Sequence, residues 1–436
     1  MVLAVQDFPR IAQGLKRIRL MQEAEFLEGS FYEFLKAAWP NFDPAEFSDN
    51  WHLRDICDHM EAVARGYIKR GLFNEPPRTG KTAIISICFV PWVWAQRERS
   101  ALMGPQVSFF YASYAEQLSL EHSLKCRRLI ESRWYQDRWG DRYQLLKDRN
   151  RAGHFENNKG GYRMASSVDA KATGYGADVL VADDPHLVKE AESETVREDT
   201  VKWWSETMPS RLNNRRTGAM IVVMQRVHEG DLSGHILNPK SNLNYVHFCV
   251  PMSYVPCQHV NAWVDESGTP CAPQYASRIA TFIGDDIELV DEDSLFWVDQ
   301  REEEGDLLWP DRFPAVEVYK LEQELGPYAY AGQYQQTPAP RGGGIIKQHW
   351  WQDWDEKVAK EHGCTPGTYP GFEYILASLD TAYTEKEEND PSALSIWGVF
   401  RDLQGNPKVF LMFCWAQRWR SMISFAASTR TVASSR

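Results

Sequence analysis

Three neighbouring residues have the types and spacing needed to bind a triphosphate. In the segment 75–82, which reads EPPRTGKT, Gly80, Lys81 and Thr82 match the second half of the phosphate-binding pattern GxxxxGK[ST]. Gly80 lets backbone amides turn toward a phosphate, Lys81 brings a positive charge to it, and Thr82 offers a hydroxyl to Mg²⁺. Glu75 stands where the pattern has its first glycine. The segment predicts a nucleotide site, with a turn before an ordinary helix as the alternative.

A pair of carboxylates provides the second half of such a site. Residues 179–184 read VLVADD, an apolar strand pattern that ends in Asp183 and Asp184, about a hundred residues after Lys81. In a phosphate-loop enzyme the first acid holds Mg²⁺ and the second polarises the attacking water. Paired acids at a strand end can also form a solvated turn or a helix cap. Because both halves occur in this order, we predict binding and hydrolysis of ATP with Mg²⁺.

A polar segment follows another apolar run. Residues 219–225 read AMIVVMQ, and Arg226 and His228 come directly after them. Polar side chains at the carboxyl end of a strand can sense the γ-phosphate and couple hydrolysis to movement. The alternative is a capped helix that begins near Glu229, and the residues favour neither reading.

The elements that must position these residues are short strands alternating with helices. Apolar runs of β-type composition occupy 107–114, 178–184, 219–225 and 245–250, and a short strand at 71–74 followed by a helix over 81–88 would flank the loop. Such alternation predicts an α/β domain with a mostly parallel sheet. Ligands of these sheets bind beyond the carboxyl ends of the strands.

The remainder of the chain differs in amino-acid composition and pattern. Residues 256–350 are richer in Pro, Gly and acidic residues, and within them a helix is expected at 315–325. Apolar runs at 374–383, 392–400 and 408–418, separated by turn-like residues, predict three antiparallel strands. We expect an ATPase domain at 1–255, a linker or subdomain at 256–350 and a third segment at 351–436.

Composition limits the class of protein. The 436 residues are 43% hydrophobic and 25% charged, which is typical of a globular chain of two or three domains. The longest apolar run, 83–95, is too short to span a membrane, and the N-terminus has no signal-peptide pattern, so we expect an intracellular location. The eight cysteines include no CxxC pair, which favours reduced thiols. Cys257, His259 and Cys271 suggest zinc, but without a paired second half they read as incidental loop residues.

Charge is distributed unevenly. The net charge of −12 gives no overall nucleic-acid signature, but residues 125–163 contain 11 Lys or Arg against 5 Asp or Glu. The aromatic residues among them are Trp134, Tyr135, Trp139 and Tyr143. A solvated helical face is the favoured interpretation. The alternative is a surface that tracks DNA, because basic groups release counterions from phosphates and aromatic rings pack or stack.

Several blocks, taken in their order along most of the chain, resemble the large terminase subunit of tailed bacteriophages, the motor that packages DNA. They are PPRTGKT at 76–82, FYASYAEQLS at 110–119, GYGADVLVADDPH at 174–186, WWSETMPSRL at 203–212, QRVHEGDLSG at 225–234, LWPDRFP at 308–314, the segment 324–351 and LDTAY at 379–383. The resemblance implies an ATPase of the additional-strand P-loop class with a mostly parallel sheet. It also implies a following nuclease with a ribonuclease H-like α/β fold.

The resemblance assigns roles to individual residues of the ATPase. Lys81 and Asp184 are expected to be catalytic, Thr82 and Asp183 to bind Mg²⁺, and the nucleotide-binding residues are Arg78, Thr79, Gly80, Lys81, Thr82 and Asp183. The region around Trp51 and His52 resembles the segment beside the adenine. An arginine that reaches a neighbouring subunit could be Arg78, Arg163 or Arg211.

On the nuclease side, Asp380 matches the first metal-binding acid of the family, and Asp390 is a further candidate. A site for two divalent ions, Mg²⁺ or Mn²⁺, needs several carboxylates held together. The family's second and third acids follow the third strand, where this sequence ends. We therefore expect an incomplete, truncated nuclease domain and no DNA cleavage by this chain alone.

The resemblance also implies a function and partners. ATP hydrolysis would drive double-stranded DNA into a procapsid in the host cell cytoplasm. Expected partners are the DNA, the portal protein, the small terminase subunit and further copies of the chain in a ring, with no membrane. A helicase-like DNA-remodelling ATPase is one alternative. A defective remnant that binds nucleotide without turnover is another.

Overall fold

The computed structural model describes residues 8–97, 101–168, 174–241, 243–256, 259–339, 354–365, 368–380 and 392–417. The chain divides into two units, Met1–Gly342 and Gly343–Arg436. Within these described ranges, each helix is too short or too polar to cross a membrane.

The first unit is built on a large, mostly parallel sheet. Its described strands are β1 Arg70–Asn74, β2 Phe109–Ser113, β3 Leu145–Asn150, β4 His154–Asn157, β5 Tyr162–Ser167, β6 Val179–Asp183, β7 Ala219–Met224 and β8 Val246–Cys249. They lie in the order β3-β4-β5-β2-β6-β7-β1-β8. The strands from β5 to β8 in this order pair in parallel, and β3 and β4 add an antiparallel edge. The predicted mixed α/β architecture is confirmed, as are the five short strands.

Helices cover this sheet and connect its strands. Those of the first unit are α1 Phe8–Gly29, α2 Phe31–Ala38, α3 Trp51–Ala64, α4 Phe89–Ala95, α5 Glu116–Glu131, α6 Arg133–Trp139, α7 Glu194–Lys202, α8 Leu232–Leu237 and α9 Ala315–Gln333. Two π-helical segments, Ala83–Cys88 and Trp203–Thr207, extend α4 and α7. Short 3₁₀ turns lie at Trp39–Asn41, Met208–Arg211, Pro239–Ser241, Pro273–Tyr275, Gly284–Leu289 and Glu292–Ser294. The helix expected over 81–88 is therefore present.

The apolar core lies on both faces of the sheet. Neighbouring residues of one strand contribute to different clusters, as Phe109 and Phe110 do on β2. The larger cluster includes the fully buried indoles of Trp92, Trp94 and Trp139. Because helices cover both faces, β2, β6, β7 and β8 are buried along their whole length, which explains their continuous apolar runs.

A second, smaller sheet belongs to the same unit. It consists of β9 His259–Val264, β10 Arg278–Ile283 and β11 Leu295–Trp297, which pair antiparallel in the order β10-β9-β11. The helix expected at 315–325 is confirmed and continues as far as Gln333. Gly326 interrupts it with a φ of 75° directly before Pro327. A residue before proline is disfavoured in the helical region, so the break follows from the Gly-Pro pair.

The second unit contains α10 Glu356–Glu361 and three strands, β12 Tyr374–Asp380, β13 Ser392–Arg401 and β14 Pro407–Gln417. The strands form an antiparallel sheet in the order β12-β13-β14, as the sequence predicts. Its ribonuclease H-like identity, the additional-strand class of the first unit and the domain limits at 255 and 350 stay predictions.

Candidate active site

The loop after β1 has the backbone shape of an anion cradle. Arg78 and Gly80 both lie in the left-handed region, with φ values of 65° and 109°. A Cβ at position 80 would also lie 2.8 Å from Leu53 Cδ2, so a larger residue there would displace that side chain. Alternation between left- and right-handed residues turns successive backbone amides to one side, where they can bind an anion.

Glu75 braces this loop from inside. Its side chain is fully buried, and Oε2 accepts a hydrogen bond of 2.6 Å from Thr79 Oγ1. The other carboxylate oxygen, Oε1, is buried without a hydrogen-bond partner in the described part of the chain. Burial raises the pKa of Glu75 to about 7. In the sequence Glu75 only replaces the glycine that the phosphate-binding pattern has at this position. The sequence alone therefore does not predict that Glu75 supports the loop.

The two predicted halves of the site meet at the carboxyl ends of β1 and β6. Lys81 Nζ lies 3.1 Å from Asp184 Oδ1, and Thr82 Oγ1 lies 3.4 Å from Asp183 Oδ1. The Asp184 side chain is 26% exposed, whereas Asp183 and Lys81 are buried. An ammonium group, a hydroxyl and two carboxylates therefore share one site, and Asp184 is the acid that solvent reaches.

Asp183 is fixed by two residues that the motifs do not include. Ser86 Oγ donates a hydrogen bond of 2.6 Å to Asp183 Oδ2, and His122 Nδ1 lies 3.5 Å from the same oxygen. Burial, assisted by the charge of Asp184, raises the pKa of Asp183. Burial also lowers the pKa of His122 to about 4, so this imidazole is neutral at neutral pH. Ser86 follows Thr82 by one helical turn, and this spacing is only a weak sequence signal for its contact with Asp183. The sequence around His122 gives no signal for such a contact.

Asp184 is held by the ends of two neighbouring strands. Its φ of 46° is unusual for a residue other than glycine. Its backbone N–H donates to Val223 O at 2.8 Å, and its carbonyl accepts from Tyr114 N at 3.1 Å. The side-chain oxygen Oδ1 also accepts a hydrogen bond from Gln225 N at 3.2 Å. A left-handed conformation of this kind persists when its surroundings impose it, and such residues cluster at functional sites.

The three candidate arginines differ in accessibility. Arg163 is fully buried, its Nη2 donates to Ser86 O at 3.0 Å, and its guanidinium lies 4.3 Å from the centre of the Tyr111 ring. A buried guanidinium cannot reach a neighbouring subunit, so the prediction is wrong for Arg163. Arg78 is exposed and Arg211 is half-buried, and both stay candidates.

The segment expected beside the adenine contacts the loop directly. His52 is buried, its Nε2 donates to Thr79 O at 2.9 Å, and burial lowers its pKa to about 4. Its ring also meets Trp309 edge to face at 5.2 Å. Trp51, which begins α3, is half-buried and lines a cavity of about 470 Å³. The remaining cavity residues are Asn50, Gln300, Arg301, Glu302, Glu303, Asp306, Leu307, Leu308 and Pro310.

The polar segment after β7 forms a helix cap. Arg226 is buried, and its Nε lies 3.0 Å from both carboxylate oxygens of Asp231. Asp231 precedes α8 and accepts hydrogen bonds from Gly234 N at 2.8 Å and from Val227 N at 3.0 Å. The capped-helix interpretation is confirmed, with the helix beginning at Leu232. The charge of Arg226 is balanced within the segment, so this conformation does not direct it toward a phosphate.

The basic stretch 125–163 does not present a stacking surface. Tyr135, Trp139 and Tyr143 are buried in the core of the first unit, and Trp134 packs against that core. Buried rings cannot stack on bases, so the stacking alternative is wrong for Tyr135, Trp139 and Tyr143. Part of the positive charge is also neutralised: Arg138 Nη2 lies 2.7 Å from Glu23 Oε1, and Arg142 pairs with Glu28.

The residues predicted for the nuclease lie in the second unit or outside the described residues. Asp380 is the last residue of β12 and pairs with Ala393 on β13. Asp390 falls outside the described residues. The metal-binding role of both stays a prediction.

Solved structures similar to this chain are phage large terminases. The HK97 bacteriophage large terminase is 12% identical over 93% of this chain and 71% of that chain, with a TM-score of 0.40. A mutant ATPase domain of the Thermus phage P74-26 large terminase is 14% identical over 64% and 93%, with a TM-score of 0.34. Another structure of that ATPase domain is 15% identical over 44% and 80%, with a TM-score of 0.29. No family model and no curated protein matches the chain, so its chemistry is inferred from its own residues.

Replacing Glu75 by Gln should make the protein more stable than the wild type as the pH rises. The pKa of this carboxyl is about 7 in the fold against 4.5 for an exposed one. The unfolded chain therefore releases the proton at lower pH than the folded chain does, and the wild type loses stability between about pH 5 and pH 8, by up to about 3 kcal/mol. Gln stays neutral and keeps an oxygen for Thr79. Urea denaturation at the two pH values measures the difference.

Glu304→Gln, the same change at an exposed position, serves as the matched control for this experiment. Its difference from the wild type should not change with pH. If Glu75→Gln behaved in the same way, or lost stability at the higher pH, burial of an ionisable carboxyl at position 75 would be refuted.

Replacing Asp231 by Ala should destabilise the first unit strongly. The change leaves the buried guanidinium of Arg226 without its carboxylate and removes the cap of α8. Breaking a buried ion pair from one side costs about 3–5 kcal/mol. Chemical denaturation followed by circular dichroism measures the loss. Asp199→Ala, at an exposed position of α7, is the control and should lose much less. A loss for Asp231→Ala as small as that of the control would contradict a structural ion pair.

Proposed function

We propose that this chain is the ATPase of a phage large terminase, a motor that uses ATP hydrolysis to translocate double-stranded DNA. The observation that carries the ATPase is the meeting of Lys81, Thr82, Asp183 and Asp184 at one edge of the sheet. Transfer of a phosphoryl group to water needs an anion cradle, a cation, oxygen ligands for a metal and an acid that orients the water. The motor identity is supported by the ordered sequence blocks.

The site residues divide the chemistry among them. The loop amides around Arg78, Thr79 and Gly80 would hold the phosphates, and Lys81 would bridge the β- and γ-phosphates. Lys81 Nζ now pairs with Asp184 Oδ1, and a bound triphosphate would compete for that ammonium. Asp184 would then orient a water molecule for attack on the γ-phosphorus. The new P–O bond forms as the bond to the ADP oxygen breaks, giving ADP and phosphate.

The donor set also fits Mg²⁺. Thr82 Oγ1 and Asp183 Oδ1 lie 3.4 Å apart, and both are hard oxygen ligands of the kind that this ion prefers. When bound, the ion would neutralise charge on the phosphates. Ser86 holds the second oxygen of Asp183, so the first stays directed at Thr82.

Two features of the surroundings support this assignment. Strand β7 lies between β1 and β6, the order expected of the additional-strand class. Trp51 offers a flat ring beside a cavity, and His52 ties the same helix to Thr79 of the loop. We propose that the adenine binds beside Trp51.

The motor would act with partners in the host cell cytoplasm. We propose the DNA, a portal protein, a small terminase subunit and further copies of this chain as those partners. Arg78 is exposed on the phosphate loop, which makes it a candidate for contact with a neighbouring copy. Translocation has to ignore base sequence, so contacts to the DNA phosphates should dominate.

Lys81→Ala and Asp184→Asn should both abolish steady-state ATP hydrolysis, with losses of about 10²- to 10⁴-fold for the acid. Lys81→Ala should also weaken nucleotide binding, because it removes the cation that meets the phosphates. Asp184→Asn should still bind ATP, since the change affects the water rather than the cradle. Phosphate release and fluorescent-nucleotide binding measure the two effects separately.

The exposed Lys240→Ala and Asp199→Asn are matched controls for these substitutions and should hydrolyse ATP at the wild-type rate. Hydrolysis retained in Asp184→Asn would remove that residue from the mechanism. A wild-type chain that binds ATP but never turns it over, even with DNA, would favour the defective remnant.

DNA binding should depend strongly on salt and hardly on sequence. A protein that neutralises several phosphates loses about 10³- to 10⁵-fold in affinity between 50 and 200 mM salt when it makes six to ten phosphate contacts. Fluorescence anisotropy with duplexes of unrelated sequence measures both dependences. An ATP-driven triplex-displacement assay should report translocation along intact duplex. Strand separation in a parallel unwinding assay would instead support the helicase-like alternative.

We further propose that β12–β14 belong to a nuclease in which Asp380 binds one of two divalent ions. The sequence leads us to expect no cleavage by this chain alone; any cleavage of plasmid DNA that the wild type shows with Mg²⁺ or Mn²⁺ should be lost in Asp380→Ala, because the ion loses a carboxylate ligand. Asp402→Ala, an acid in the turn before β14, should leave cleavage unchanged. Cleavage that survives Asp380→Ala would contradict the assignment, and a wild-type chain that does not cut would agree with the incomplete nuclease expected from the sequence.

A further inference from the structure

Three metal-binding residue types meet away from the active-site carboxylates. His247 and Cys249 lie on β8, the edge strand of the large sheet, and His259 begins β9 of the small sheet. One ligand atom of each lies within 4.8 Å of the others, and all three residues are buried. The cluster therefore joins two sheets of the first unit.

The geometry of the cluster follows from strand periodicity. Residues two apart on a strand point to the same face, which brings His247 and Cys249 to one side of β8. The imidazole rings of His247 and His259 are stacked, with their centres 4.7 Å apart and an angle of 11° between their planes. His259 Nε2 is buried and has no hydrogen-bond partner among the described residues. A buried polar nitrogen without a partner is costly, and a metal ion would satisfy it.

We propose that His247, Cys249 and His259 bind a zinc ion. Thiolate and imidazole are the ligands that Zn²⁺ takes in proteins. Ligand atoms around a tetrahedral zinc ion lie about 3.5 Å apart, so the ligand atoms, now within 4.8 Å of one another, would close by about 1 Å. The two stacked imidazole rings would also rotate, because their lone pairs now lie in nearly parallel planes. The fourth tetrahedral position would hold a water molecule.

Cys249 would bind the ion as a thiolate. Zinc would displace the thiol proton as it binds, which is the usual behaviour of cysteine ligands.

The zinc hypothesis drawn from the sequence shares only His259 with this cluster. Cys257 lies outside the described residues. Cys271 N donates to Trp263 O, four residues along β9 from His259. A strand rises about 3.3 Å per residue, which separates the two positions by about 13 Å. Cys271 is therefore no ligand of this site.

The cluster also contacts the strand that carries the phosphate loop. His247 Nε2 and Asn74 Oδ1 lie 2.9 Å apart, and Asn74 is the last residue of β1, directly before Glu75. A hydrogen bond of this kind fixes the orientation of a histidine ligand. Zinc would therefore tie the small sheet to the base of the phosphate loop.

The proposal is tested by the zinc content of the untagged full chain, reconstituted with ZnCl₂ under reducing conditions and dialysed against buffer that contains Mg²⁺. Mass spectrometry of the metal should find about one zinc ion per chain. Cys249→Ser and His259→Gln should each lower the zinc content at least about tenfold, because each removes a ligand. Cys271→Ser is the matched control and should keep its zinc. With Co²⁺ in place of zinc, a thiolate-to-metal absorption band should appear in the wild type and be absent from Cys249→Ser.

Circular dichroism and gel filtration show whether each variant folds. If a variant does not fold, the wild type provides the test: a strong chelator should lower its melting temperature, and Zn²⁺ but not Mg²⁺ should restore it. A wild-type chain without bound zinc after reconstitution would overturn the proposal. Zinc retained in both ligand variants, or lost from Cys271→Ser, would overturn it as well.

Discussion

Two adjacent carboxylates at the end of β6 set the main electrostatic constraint on this structure. Asp183 is buried, and its neighbour Asp184 carries a second negative charge. Such a pair is tolerated only if nearby groups compensate for the lost hydration and the mutual repulsion. Lys81 supplies the positive charge at 3.1 Å from Asp184, while hydroxyls of Thr82 and Ser86 approach Asp183. The loop conformation, the helix after it and the strand order all serve to bring these groups together.

The strands and the site were predictable from sequence for the same reason. Strands buried on both faces, such as β6 and β7, leave continuous apolar runs, and the polar residues at their carboxyl ends then stand out. Lys81, Thr82, Asp183 and Asp184 belong to local motifs whose partners follow from sheet topology. Their meeting could therefore be inferred without coordinates.

Other contacts could not be inferred, because they depend on which surfaces face each other. Glu75 departs from the phosphate-binding pattern, yet its buried carboxylate accepts a hydrogen bond from the Thr79 hydroxyl. The aromatic residues of the basic stretch allowed a stacking surface as the alternative to a solvated helical face, and only the packing of Tyr135, Trp139 and Tyr143 in the larger core assigns them to the interior. The prediction that Arg163 could reach a neighbouring subunit was wrong for the same reason, because the local sequence does not show that this side chain is buried. His247 and His259 lie on strands of different sheets, so their proximity depends on how the small sheet meets β8.

The side chain of Asn74 gives the phosphate loop a rigid foundation. Its Nδ2 donates to Met224 O at 3.0 Å and to Ser233 Oγ at 2.9 Å, and its Oδ1 lies 2.9 Å from His247 Nε2. One amide thus connects β7, α8 and β8 at the residue before Glu75. A force that displaces the loop has to move all three elements or break these hydrogen bonds. Under the function proposed above, that stiffness would determine how much of each nucleotide-driven movement leaves the site as motion rather than being lost as local deformation.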